Sequence, residues 1–416
     1  MKSVESVTVL VLANTGSRYE QTDQHGTAHF FEHMVFKGTQ NFPTAQILSR
    51  AVDGVGADFN AFTSKEYTGY YVKTASDHLD LALSVVSDML LRPLLRQEDI
   101  DREKGVIVEE MNMYADNPAS HIANLFDQMV YRGSGLSHNI VGEKETVTQQ
   151  TQADFRQFLQ QWYGLGNLIL VLAGDEKVVN DTHLLSKVND YFSEKDVVDR
   201  QPTAKISPYL VSNPISQEKL HVELKETQQA HLVLGWPGIS RKSDQRYILS
   251  VLSVILGGNM SSRLFTEVRE KRGLCYYVHT DVDYFHDGGL FGGSAGVDPS
   301  RFAEALKVMV GEFRQLADGR QPVSTQELQM AKDYVMGKMV LGFEDSESLA
   351  QFFGMRLLLQ GKTVSPEEME TKIKAVTLDQ VQALAKQLIL PDELRLAVIG
   401  PFKKLEVEQA LAQALA

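Results

Sequence analysis

The chain has one cysteine, Cys275, in 416 residues. That scarcity excludes an internal disulfide and any zinc site built from several thiolates. A metal here has to be held by imidazole and carboxylate, and the single thiol fits a reducing compartment. Long apolar runs are also missing. The longest, such as Leu168 to Ala173, have the length of a strand and fall far short of the roughly 18 residues that span a bilayer. Basic residues are outnumbered, with 41 Lys plus Arg against 54 Asp plus Glu, and a net charge of −13 repels polyanions and anionic membrane surfaces. Nucleic acid and membrane are therefore not expected as partners. With 43% apolar and 23% charged residues and no low-complexity tracts, the composition is that of an ordinary packed protein.

What is present is an order of elements that occurs twice. Val7 to Ala13 reads as a strand entering the turn Asn14-Thr15-Gly16-Ser17. Lys2 ahead of it gives the look of a leader, but Glu5 and the lack of a small-residue cleavage site argue for a strand, and a cytoplasmic protein is expected. Helix Thr27 to Phe36, strands through Thr68 to Lys73, helices His78 to Leu91, Glu98 to Tyr114 and Ala153 to Trp162, and strand Asn167 to Ala173 follow. The second half replays this order from His231–Gly235 through the strands Tyr276–Asp283 and Gly289–Gly296 to helix Leu378–Leu388 and strand Leu394–Ile399. The expectation is an α+β protein of two homologous sandwich-like domains, each a mainly antiparallel sheet packed by helices. Their expected ranges are 1–192 and 220–416, joined by a linker over 193–219 with Pro202, Pro208 and Pro214.

The sharpest chemical signal is His29-Phe30-Phe31-Glu32-His33. On a helix His29 and His33 stand at i and i+4, so both imidazoles leave one face close enough to share a metal, and Glu32 flanks them. Phe30 and Phe31 point elsewhere and are expected to anchor the helix in the core. This H-x-x-E-H order is the inverted zinc-peptidase signature. Two histidines and a glutamate can also be plain solvated polar residues, so a third ligand decides the matter. Glu103 and Glu110 lie seven apart on the helix Glu98 to Tyr114 and share one face, while Glu109 is rotated by about 100° from Glu110. Ile100, Val106, Ile107 and Val108 among the acids predict a helix buried on more than one side, where carboxylates need partners.

These residues resemble the zinc signature of the pitrilysin or M16 metallopeptidases. Glu110 follows His33 by 77 residues, with Glu103 seven before it. The stretches Asn60-Ala61-Phe62-Thr63-Ser64-Lys65-Glu66-Tyr67-Thr68 and Arg102 to Glu110 agree, and so does an Arg/Tyr pair seven apart, Arg269 and Tyr276. The resemblance covers essentially the whole chain, in the short two-domain form of the mitochondrial processing peptidase subunits. It implies a zinc endopeptidase with one zinc per chain. His29, His33 and Glu110 are the implied ligands, Glu32 the general base and Glu103 a supporting carboxylate. It further implies that Asn60 and Ala61 lie on an edge strand that holds an extended peptide, and that Arg269 and Tyr276 contact the substrate from the other half. The implied substrates are peptides or unfolded polypeptides, and the implied assembly is a homodimer closing a chamber.

Family members also carry a strand ahead of the one at Val7, so a truncated start or a differently covered edge is expected. Cys275 beside Tyr276, with His279 nearby, invites a thiol-nucleophile reading, but a lone cysteine in apolar context is expected to be inert packing. A non-catalytic scaffold or assembly subunit and a non-peptidase metal-binding protein stay open as alternatives. The intact Glu32 favours the peptidase over both.

Overall fold

Strand β1 (Ser6–Ala13) is apolar at almost every position, the pattern of a strand covered on both faces. In the computed structural model, which describes residues 1, 4–193, 197, 199–200 and 215–416, both faces are covered. With β2 (Asp58–Thr63), β3 (Thr68–Ala75) and β4 (Leu168–Gly174) it forms a four-stranded sheet ordered β2-β3-β1-β4, antiparallel throughout. Side chains alternate across it. Val7, Val9, Val11 and Ala13 enter one core with Phe30 and Phe31 of α1 (Thr27–Met34) and with Leu83 and Val86 of α2 (Leu79–Leu91). Leu10 and Leu12 face the other way, against Ala173 and Ala350.

A second sheet contains β5 (Leu220–Leu224), β6 (Ala230–Pro237), β7 (Cys275–Tyr284), β8 (Gly289–Val297) and β9 (Arg395–Gly400), ordered β5-β9-β6-β8-β7. Its β7-β8-β6-β9 part repeats the order of the first sheet, with β5 added as a parallel neighbour of β9. The fold is the expected α+β duplication. Among the described residues no helix is long and apolar enough to cross a membrane.

The chain packs as two compact units. The first holds Met1–Asn112, His138–Val211 and Leu341–Val364, and the second holds Met113–Ser137, Ser212–Val340 and Ser365–Ala416. Each unit includes a helix from the other half of the chain. Helix Ser346–Gln360 lies on β1 and β4 of the first sheet, and Pro118–Val130 lies on β6 and β9 of the second. The reason is simple. A sheet apolar on both faces needs two covers, and the helices local to it supply one. Residues 201–214, the proline-bearing core of the expected linker, lie outside the described residues.

The borrowed helix on the first sheet fits closely. Thr8 and Ser346 hydroxyls pair at 2.8 Å, and a Cβ on Gly354 would lie 2.8 Å from both Leu12 Cδ1 and Val171 Cγ2. On the second sheet Ile122, Phe126 and Met129 meet Val233, Ala397 and Ile399. Gly354→Val is therefore expected to overpack this contact and destabilise the fold by about 1–3 kcal/mol. In Gly354→Ala a gain in helix propensity of about 1 kcal/mol opposes the clash, leaving a much smaller change. Urea denaturation followed by circular dichroism checks the order, and a valine variant as stable as the alanine one would contradict it.

Candidate metal centre

Helix α1 has eight residues, too few to be stable alone, so its surroundings hold it. Gly26 opens it at φ 92°, a left-handed conformation that favours glycine, and a Cβ there would lie 2.8 Å from Gly142 Cα. Glu20, itself buried, accepts the N–H groups of Gly26 and Ala28 at 2.8 and 2.7 Å, which caps the first turn. Phe30 meets Phe155 edge-on at 4.9 Å, and Phe31 lies 4.7 Å from Tyr163, all four fully buried. The two phenylalanines anchor α1 as the sequence predicts, and His29, Glu32 and His33 are carried away from that core.

Helix α3 (Gln97–Asp116) supplies the carboxylates. Ile100, Glu103 and Ile107 are buried along one face and Glu110 is half-buried beyond them, while Glu109 and Val106 are exposed. The expectation of burial on more than one side is thus corrected. One face is buried, and the two acids that matter lie on it.

There the residues meet. Glu110 Oε1 lies 3.6 Å from His29 Nε2, and Glu110 Oε2 lies 3.5 Å from His33 Nε2. One ligand atom from each of the three lies within 4.8 Å of the other two, the one such group of three or more among the described residues. Donors about 2.0–2.2 Å from a tetrahedral zinc stand roughly 3.3–3.5 Å apart, near the two His–Glu separations, and two imidazoles with a carboxylate are donors that suit zinc. Glu103 Oε1 pairs with His33 Nδ1 at 2.9 Å, and Lys37 Nζ holds Glu103 Oε2 at 2.6 Å. That arrangement directs His33 Nε2 toward Glu110. Charge coupling is strong. His29 and His33 hold the Glu110 carboxyl well below the usual carboxylate range. Burial opposes charge on His33, yet Glu103 and Glu110 outweigh it and lift the imidazole to about 9. Burial likewise raises Glu103, but His33 and Lys37 bring it below its ordinary value.

Glu32 stands on the same helix and accepts a hydrogen bond from the Thr63 hydroxyl at 2.6 Å. Asn60 and Ala61 lie on β2, which the order β2-β3-β1-β4 places at the edge of the sheet. The Asn60 side chain is exposed and accepts the Ala61 N–H at 2.9 Å. In the second unit the Arg269 guanidinium lies 4.9 Å from the Phe265 ring and 5.6 Å from that of Tyr276. Tyr276 is 72% exposed at a register shift between Cys275 and Tyr277, a bulge at the start of β7. Cys275 beside it has its thiol pushed up to about 11 by burial, which fits inert packing. Lys37, Thr63 and Glu20 are site residues that the sequence reading did not single out. Thr63 and Lys37 act across 31 and 66 residues, separations that no short motif spans, whereas Glu20 acts locally on the helix six to eight residues after it.

Glu20 also carries a pH dependence. Burial pushes its carboxyl up to about 8 from 4.5, against the two amide donors and Lys65, which favour the anion. A group raised in the folded state stabilises it fully below its unfolded value, and that contribution is lost as pH rises toward 8. Glu20→Gln, which keeps the shape but cannot ionise, is expected to gain stability relative to the wild type between pH 5 and pH 8. Parallel stability profiles from denaturant melts at each pH would contradict this.

The chain is similar to known proteins along nearly its whole length. Residues 2–144 match the family described as insulinase (peptidase family M16), and residues 150–335 match the peptidase M16 inactive domain. An uncharacterized zinc protease of Streptomyces coelicolor is 37% identical over 405 residues, covering 97% of this chain and 86% of that protein. One of Bacillus subtilis is 32% identical over 402 residues, covering 96% and 94%. The crystal structure of a Helicobacter pylori protease shares the fold at a TM-score of 0.85 and 23% identity, over 96% of this chain and 95% of that one. Two successive family matches and relatives of this identity along nearly the whole length leave one conclusion: the chain belongs to peptidase family M16.

Proposed function

We propose that this protein is a zinc-dependent endopeptidase that hydrolyses peptides and unstructured polypeptides, with one zinc per chain held by His29, His33 and Glu110. The observation that carries the reading is the convergence of two imidazole nitrogens and one carboxylate from α1 and α3, with Glu32 on the same helix and outside that set. A bound zinc ion supplies Lewis-acid polarisation of the scissile carbonyl and lowers the pKa of water at the site. Glu32 takes a proton from the attacking water and passes it to the leaving amine. Glu103 fixes the ring of His33 and its tautomer, and Lys37 fixes Glu103. Asn60 and Ala61, on the edge strand β2, offer main-chain pairing to an extended peptide. Arg269 and Tyr276 are assigned to substrate contact, with a guanidinium and a hydroxyl suited to a developing oxyanion. In this reading 1–192 is the metal-binding peptidase domain, 193–219 the linker, and 220–416 the homologous domain with the Arg/Tyr pair. A scaffold role is the weaker reading, because His29, Glu32, His33 and Glu110 are all in place.

Elemental analysis is expected to give about one zinc per chain, with most of it lost in His33→Ala. Glu32→Gln should keep the zinc and lose about a thousandfold or more in kcat on a fluorogenic peptide. Wild-type turnover in that variant would end the mechanism.

We further propose that two copies pair about a two-fold axis and close a chamber around the substrate, since each chain carries both the His/Glu set and the Arg/Tyr pair. Sedimentation should then report about twice the 46.5 kDa chain mass, and activity should fall as substrates become folded. A fully active monomer that digests folded protein would contradict this.

A further inference from the structure

Glu32 is a flexible side chain, and a general base works only while it is aimed. What aims it is visible on the strand beside it. Thr63, the last residue of β2, donates its hydroxyl proton to Glu32 Oε2 at 2.6 Å, the length of a charge-assisted bond. One carboxylate oxygen is thereby held, which leaves Oε1 to take a proton.

The mount behind Thr63 is rigid. Thr63 pairs with Thr68 across β3, and the turn between them closes with Ser64 N–H on Tyr67 O at 2.8 Å. That turn is tied down by the fully buried ion pair Arg18–Glu66 at 2.7 Å, by Lys65 Nζ on His138 O at 2.7 Å, and by Arg18 N–H on Lys65 O at 2.9 Å. Threonine is itself stiff at χ1, so a fixed backbone fixes its hydroxyl. The donor is also neutral. A lysine or arginine at this position would form an ion pair with Glu32, whereas a hydroxyl orients the carboxylate without adding a charge beside it.

We propose that Thr63 is a positioning residue for Glu32, with the buried Arg18–Glu66 pair as its anchor. The proposal rests on the reading of Glu32 as the general base. Thr63 touches neither the His29/His33/Glu110 set nor, in this assignment, the substrate, so its loss should appear in kcat and not in KM or zinc content.

The test uses the zinc-loaded protein and a neutral, unstructured fluorogenic peptide. Thr63→Val, which keeps shape and branching but removes the donor, is expected to lower kcat about 10- to 100-fold. KM should stay within about twofold, with zinc content and melting temperature unchanged. Thr63→Ser, which restores the hydroxyl, should return kcat to within about threefold of the wild type. A double variant adds the decisive comparison. If Thr63 acts through Glu32, Thr63→Val should cost nothing further in a Glu32→Gln background. Wild-type kcat in Thr63→Val, equal impairment in the serine and valine variants, or losses that multiply in the double variant would each overturn the assignment. Wild-type turnover in Glu32→Gln alone is a different failure, since it removes the base that Thr63 is assigned to hold.

Discussion

The anchoring of one short helix is the constraint on which the rest of the first unit depends. Eight residues of α1 carry His29, Glu32 and His33, and eight residues do not hold a helix by themselves. Two forces do so here. Phe30 and Phe31 give it a buried side among Phe155, Phe158 and Tyr163, and the Glu20 carboxylate satisfies the amides that the first turn leaves open. With that side fixed, the polar face has one direction left. Residues 70 or more positions away then fall into place, with Glu103 and Glu110 arriving on one face of α3 at the spacing of nearly two turns.

The duplicated sheets separate scaffold from chemistry. The order β2-β3-β1-β4 recurs as β7-β8-β6-β9, so the same topology stands twice in one chain. Where the first unit places α1 after its central strand, the second places helix Arg246–Gly257, whose Leu249, Val251, Leu252, Ile255 and Leu256 serve only the core. No histidine or glutamate falls within it. The helix after the central strand of one sheet thus carries a His/Glu set, and its counterpart in the same topology does not. The fold alone therefore says little about activity, and the side chains on α1 and α3 say most of it.

Much of this was legible in the residues and some of it was not. The strand at Val7 to Ala13, the helix at His78 to Leu91 and the i, i+4 and i, i+7 spacings of the ligating set follow from local periodicity, and the structure has them within a residue or two. The borrowed helices Pro118–Val130 and Ser346–Gln360 were not read at all. The second has apolar residues all round, Leu349, Phe352, Phe353, Met355 and Leu357 among them, so no stripe marks the face it buries. Its partner strands lie more than 170 residues away, and only tertiary contact picks the side. The bonds Thr63–Glu32 and Lys37–Glu103 share that character. Each is one side chain reaching an element whose position is set by the whole fold.

The borrowed helices bear on how the protein is made. Leu10 and Leu12 leave the ribosome early, but the helix that covers them begins at Ser346. At about 5–20 residues per second, that face of the first sheet waits on the order of 20 to 70 seconds for its cover. Pro118–Val130 is in the opposite position, synthesised long before the β6 and β9 strands it packs upon. Neither sheet is covered on both faces until the elements of the other half of the chain have been made. A nascent chain of this kind holds an apolar strip open from the time β1 is made until Ser346–Gln360 follows. A stop codon anywhere between the two halves would leave that strip uncovered permanently.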